Sequence, residues 1–157
     1  MGFNQITDIA ASGMAAQRLR VQLIAANVAN SETTRTPEGG PFRRKDAVFE
    51  VAPMGKTSDG MEMTGVQVSS IVASAEPFVS RYEPNHPDAN AEGIVQYPNV
   101  NPVEEMVNLT EATRAFDANV AVVRAARNMA LSAQDLLRVQ CRFSDWHLLP
   151  RDPILMT

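Results

Sequence analysis

Proline divides this chain into parts. It is absent from residues 3–30 and 103–138, while seven prolines and six glycines crowd residues 31–100. Inside a helix a proline removes a backbone hydrogen bond and clashes with the preceding turn, so long helices are confined to the two proline-free ends. The middle is left to loops and short strands. Val66, Val68 and Val72 keep a two-residue alternation, and residues 47–51, 78–82 and 93–97 read as weaker strands. The expected fold class is α+β. Residues 1–30 form an N-terminal helix, 31–100 a loop and a small β-rich middle domain, and 101–138 a C-terminal helix. Residues 139–157 form a tail that does not continue the helical pattern.

The C-terminal helix has a well-marked start. Asn101 can cap the free N–H groups of the first turn, and Pro102 sits at the first helical position, where its missing N–H costs nothing. Glu104 and Glu105 complement the helix dipole, and Glu104 is placed to reach back to the cap. At about 1.5 Å per residue this helix would run roughly 55 Å.

Both helices carry two rows of apolar and small residues in alternating steps of three and four, the spacing of a coiled-coil seam. On the C-terminal helix one row is Met106, Leu109, Thr113, Phe116, Val120, Val123, Arg127, Ala130, Gln134 and Leu137. The other is Ala112, Ala115, Asn119, Val122, Ala126, Met129, Ala133 and Leu136. The N-terminal helix has Phe3, Thr7, Ala10, Met14, Gln17, Val21, Ile24 and Val28 in one row. Its second row is Ile9, Ser12, Ala16, Leu19, Leu23, Ala26 and Asn30. A helix with two stripes needs two partners. Pairing the helices through Val21, Ile24 and Val28 against Phe116, Val120 and Val123 buries one seam of each. Leu19, Leu23, Val122, Met129 and Leu136 then remain for other chains. Leaving a large apolar side chain in water forfeits about 1.5–3 kcal/mol, and a whole domain is held by only about 5–15 kcal/mol. Cover by the β insert is disfavoured, because the insert is rich in turns and poor in aromatics.

Several function classes are excluded by composition. Among 157 residues, 14 Lys and Arg face 18 Asp and Glu, for a net charge of −4. That balance argues against nucleic acid as a partner. The short Arg43-Arg44-Lys45 cluster reads as solvated charge at the start of a strand. A single cysteine, Cys141, leaves no internal disulfide, and with only His86 and His147 no multi-histidine metal centre can form. No cleavable leader and no membrane-length apolar run is visible. Glu104 with Glu105 is explained by capping, Cys141 with His147 lacks an orienting third group, and His86 with Asp88 lies in a proline-rich turn. No catalytic residue, metal ligand or cofactor site is expected.

Other residues carry a resemblance. Residues 25–30, Ala-Ala-Asn-Val-Ala-Asn, close the first helix and resemble the signature shared by flagellar rod, hook and filament-junction proteins, centred on Asn27 and Asn30. The loop that follows, with Thr34, Arg35, Thr36, Pro37, Gly39 and Gly40, is similar to the proximal-rod members of this axial family. Residues 83–90, 97–107 and 109–131 are also similar to them. The resemblance implies terminal helices paired as an inner layer around a channel, with an outer β domain. It further implies subunits stacked into a hollow rod that transmits torque across the periplasm and conducts exported subunits. The implied partners are copies of this chain, other rod proteins, the inner-membrane ring and the type III export apparatus, reached without a cleaved signal. Neither nucleic acid nor direct lipid binding is implied. Another axial component is the nearest alternative, and an unrelated helical adaptor a more distant one.

Overall fold

The computed structural model describes residues 3–57 and 60–144. The tail residues Trp146, His147, Pro150 and Pro153 lie outside the described residues, as do the side chains of Phe3, Leu137 and Cys141. The order of elements is α1 (Phe3–Ala29), β1 (Lys45–Lys56), β2 (Glu62–Ala73), β3 (Val79–Tyr82), β4 (Ile94–Tyr97) and α2 (Pro102–Ser144). The strands form two separate antiparallel pairs, β1 with β2 and β3 with β4. The fold is α+β, two terminal helices flanking a β-rich middle.

Asparagine closes α1. The Asn30 backbone N–H and its side-chain amide both donate to the Ala26 carbonyl, at 3.0 and 2.8 Å, satisfying an oxygen the helix end would otherwise orphan. At the start of α2, Asn101 Oδ1 accepts from the Val103 N–H at 3.1 Å, and the Asn101 carbonyl accepts from Glu105 N. Cap and proline act together there. The helix runs six residues beyond the expected end at Arg138, so Cys141 lies on α2 and not in an irregular tail. At 43 residues it is about 65 Å long.

α1 and α2 are antiparallel. Asn27 bonds to Glu105, and Gly13, fourteen residues back along α1, lies against Asn119, fourteen residues forward along α2. The first residue of α1 therefore falls opposite about residue 129. What remains of α2 runs on past α1 for roughly 20 Å.

The face of α2 turned to α1 is not either expected row. It is Glu105, Leu109, Ala112, Phe116, Asn119, Val123, Ala126 and Ala130, all buried or half-buried, while Met106, Thr113, Val122, Arg127 and Met129 are exposed. The seam takes Leu109, Phe116, Val123 and Ala130 from the first row and Ala112, Asn119 and Ala126 from the second. Both strings share heptad steps, and periodicity alone cannot rank neighbouring strings. Close packing ranks them: Ala112, Ala126 and Ala10 are buried where the backbones approach, and bulkier side chains flank that line.

The second correction concerns α1. Its exposed residues are confined to one edge: Asn4, Asp8, Ala11, Ala15, Arg18, Gln22, Ala25 and Ala29. On another side the β1–β2 hairpin folds back along α1, so the insert does cover that helix's second row. The strands are also longer than the expected short ones, 12 residues each. Register shifts between Val48 and Phe49 and between Pro53 and Gly55 let the pairing continue past the proline. Contact with α1 is made at Gly65, which is buried, and the Val66 N–H donates to Ser12 Oγ at 3.2 Å. Among the described residues the strands form no comparable contact with α2, and Met106, Val122, Met129 and Leu136 stay exposed.

Gly65 is the tightest point of that packing. A Cβ there would stand 2.7 Å from Ser12 Oγ and closer still to Met54 Sδ. We expect Gly65→Val to cost about 1–3 kcal/mol by overpacking, read as a lower urea midpoint. An unchanged midpoint would mean the hairpin does not rest on α1.

Candidate assembly interface

A buried polar node holds the three parts of the chain together. Asn27, on the last turn of α1, is 0% exposed, and Glu105, on the first turn of α2, is 1% exposed. The Asn27 amide donates to Glu105 Oε2 at 3.1 Å and to the Lys45 carbonyl at 3.0 Å, while Lys45 N–H donates to Asn27 Oδ1 at 2.9 Å. One side chain thus bonds both backbone groups at the first residue of β1, as another strand would. Arg44 Nε donates to Glu105 Oε1 at 2.7 Å, and its Nη1 also pairs with Asp46. Burial opposes the charge on Arg44; the hydrogen bond and charge of Glu105, with Asp46, outweigh it, so its pKa is raised above the ordinary guanidinium value.

Two sequence expectations change here. Glu105 is a tie between helix, strand and helix, beyond any service to the helix dipole, whereas Glu104 is exposed. Arg44 is half-buried in an ion pair, so the basic cluster is not wholly solvated charge. The signal was available: Glu105 stands four residues before Leu109 and seven before Ala112, on the seam. A carboxylate at a seam position needs a buried partner, and Asn27 is polar in a run of Ala and Val.

The remaining motif residues shape the loop after α1. Thr36 N–H and Oγ1 both donate to the Gly40 carbonyl, at 2.9 and 3.1 Å, and Gly39 N–H donates back to Thr36 at 3.0 Å. Gly39 and Gly40 have φ of 90° and 80°, the left-handed region, which explains the glycine pair after Pro37. Thr34 Oγ1 donates to Asp88 Oδ2 at 2.8 Å, and Arg35 Nη1 lies 3.6 Å from Asp88 Oδ1. His86 Nδ1 accepts from the Asp88 N–H. The turn at 85–88 is thereby fastened to the loop after α1. Behind it, Tyr97 donates to Glu83 Oε2 at 2.9 Å; that bond, ahead of burial and the Glu83 charge, raises the Tyr97 phenol above its ordinary value. Among the described residues no group of three or more His, Cys, Asp or Glu is placed to hold a metal, and no helix is long and apolar enough to cross a membrane.

Of the residues expected in the helix pairing, Ile24 is buried and Val21, Val28, Phe116, Val120 and Val123 are half-buried. Leu19 and Leu23 are half-buried. Val122, Met129 and Leu136 are exposed by 46%, 63% and 71%, and Val103, Met106, Val107 and Leu131 on the same helix are exposed as well. The hairpin adds Val48, Val51 and Val66. Open apolar side chains are thus concentrated on α2 and the outer side of the hairpin, more than a small protein usually exposes.

A long helix pair, a side hairpin and open apolar faces are the features that a subunit of a larger structure presents. Comparison with known proteins gives its family. Residues 8–35 match the model "Flagella basal body rod protein", and residues 91–136 match "Flagellar basal body rod FlgEFG protein C-terminal". The chain is 38% identical to the flagellar basal-body rod protein FlgC of Borreliella burgdorferi, over 88% of this chain and 99% of that one. It is 39% identical to FlgC of Salmonella typhimurium, over 87% and 98% of the two chains. With FlgC of Bacillus subtilis it shares 36% identity, over 82% and 94%. The chain belongs to the FlgC family of flagellar basal-body rod proteins.

The node makes a quantitative prediction. Glu105→Ala leaves one of the two Asn27 amide N–H groups buried without its acceptor and removes the main partner of Arg44. We expect a loss of about 3 kcal/mol, at the low end for a broken buried pair because Arg44 keeps some contact with water. Urea unfolding followed by circular dichroism checks this; a loss below about 1 kcal/mol would make Glu105 a capping residue after all.

Proposed function

We propose that this chain is a non-catalytic structural subunit of the flagellar basal-body rod, in its proximal part, built into a hollow shaft that transmits torque and conducts exported subunits. The observation that carries the reading is the open apolar surface of α2, joined to membership of the FlgC family. A shaft under torsion needs each subunit to share shear with several neighbours. The chain offers separate faces for them: the Val122, Met129 and Leu136 row, the first turns of α2 at Val103, Met106 and Val107, and the outer side of the hairpin. Leu19 and Leu23, half-buried beside the hairpin, add smaller contacts.

The partners in this reading are copies of the chain and other rod proteins, with the inner-membrane ring and the export apparatus at the base. In this reading the chain reaches the periplasmic rod through that apparatus. Asn27, Asn30 and the Thr34–Gly40 loop act within the subunit, fixing how the β part stands on the helices and so where each face points.

Val122→Asp tests the reading. The side chain is nearly half exposed in the single chain, so the variant should remain soluble and helical, while cells carrying it lose motility and their basal bodies lack the rod. A motile strain with normal basal bodies would overturn the assignment of that face. Immunogold labelling of purified basal bodies with an antibody to this chain would test the reading as a whole, and label away from the rod would refute it.

A further inference from the structure

The exposed charges of α2 are sorted along its length. As far as Asp117, the carboxylates Glu104, Glu111 and Asp117 stand against Arg114. From there to Arg138, the guanidinium groups of Arg124, Arg127 and Arg138 stand against Asp135. Among the described residues none of these charges forms an ion pair within the chain. The groups are sorted by side as well. At about 100° per residue, Glu104, Val107 and Glu111 share one flank of the buried seam, while Arg127, Leu131 and Arg138 share the opposite flank. Each flank pairs charge with an open apolar side chain, Val107 at 56% and Leu131 at 49% exposure. Leu131 and Arg138 also lie on the stretch of α2 that runs past the start of α1.

We propose that these flanks are the two halves of one contact between copies of this chain. The Glu104–Val107–Glu111 flank of one α2 seats on the Arg127–Leu131–Arg138 flank of the next, with the two helices parallel. This deepens the rod reading, and rests on it for neighbouring copies that all point one way. Val107 then packs on Leu131, a stagger of about 24 residues, or ~36 Å along the axis. Glu104 faces Arg127, and Arg138 reaches back about 4.5 Å to Glu111, because helical side chains lean towards the N-terminus. The apolar pair supplies burial, while the charges choose partner and register. A shift that sets the acidic turns of two copies side by side brings like charges together. The flanks are different surfaces, so the contact is head-to-tail, leaves one flank of each end copy free, and propagates. It also places the start of one α2 beside the stretch of its neighbour that α1 leaves uncovered.

Oxidative cross-linking in cells tests it, on the full chain with Cys141→Ser as background. A chain carrying Val107→Cys and Leu131→Cys holds its two thiols ~36 Å apart on one helix, too far for a disulfide within the chain. Copper phenanthroline should therefore link copies into dimers, trimers and a longer ladder on an immunoblot, while either single cysteine gives monomer only. Charge exchange is the second arm. Glu104→Arg with Glu111→Arg, and separately Arg127→Glu with Arg138→Glu, should each cut the swimming halo at least fivefold. All four changes in one chain should restore at least half of it. Dimers from a single cysteine, no ladder from the pair, or no recovery with all four changes would overturn the contact. Those failures with immunogold label on the rod would leave the rod reading standing. A ladder in cells whose label lies elsewhere would leave the contact standing without that reading.

Discussion

One amide side chain governs how this molecule is put together. Asn27 is enclosed by the last turn of α1, the first residue of β1 and the first turn of α2, and it bonds to all that surround it. Buried polar groups are costly when unmatched and specific when fully matched. Here the matching groups come from three segments distant in sequence, so they meet only when helix, strand and helix are in register. Shifting α1 by one turn against α2 would leave Glu105 and Asn27 each buried without the other. The alanines that line the closest approach, Ala10, Ala16, Ala112 and Ala126, discriminate little between neighbouring registers by themselves.

The node also explains the division of labour between the helices. With α1 fixed at its C-terminal end, the hairpin that begins at Lys45 is launched back along α1, where Gly65 and Ser12 let it lie close. That placement covers α1 and spares α2. The consequence is an asymmetric subunit: α1 is an interior element with one exposed edge of small and polar residues, and α2 is an outer element with bulky side chains on open rows. In an assembly the second is where neighbours gain most by burying surface.

Much of this was legible in the sequence. The proline-free ends gave both helices, Asn101-Pro102 marked the start of α2 within a residue, and all four strands fell on segments with strand character. Three things were not legible, for physical reasons. The buried row of α2 combines Leu109 and Phe116 with Ala112 and Ala126, and spacing cannot tell which of two adjacent rows lies closer to a partner until the partner's own small residues are known. Hairpin length was hidden by Pro53 and Gly55, which look like breakers and are absorbed by a bulge. The cover over α1 depended on Gly65, whose value lies in the side chain it lacks. Glu105 sits between these cases: its position on the seam pointed to burial, but its nearness to a helix start offered a simpler explanation that was incomplete.

The central claim is that Asn27 and Glu105 act as one unit. A double-mutant cycle measures this directly, comparing urea unfolding of Asn27→Ala, Glu105→Ala and the double variant. The account predicts that the double variant loses less than the sum of the single losses, with a coupling of about 1–3 kcal/mol. Additive losses, within about 0.5 kcal/mol, would contradict it and leave the helix pair held by its apolar seam alone.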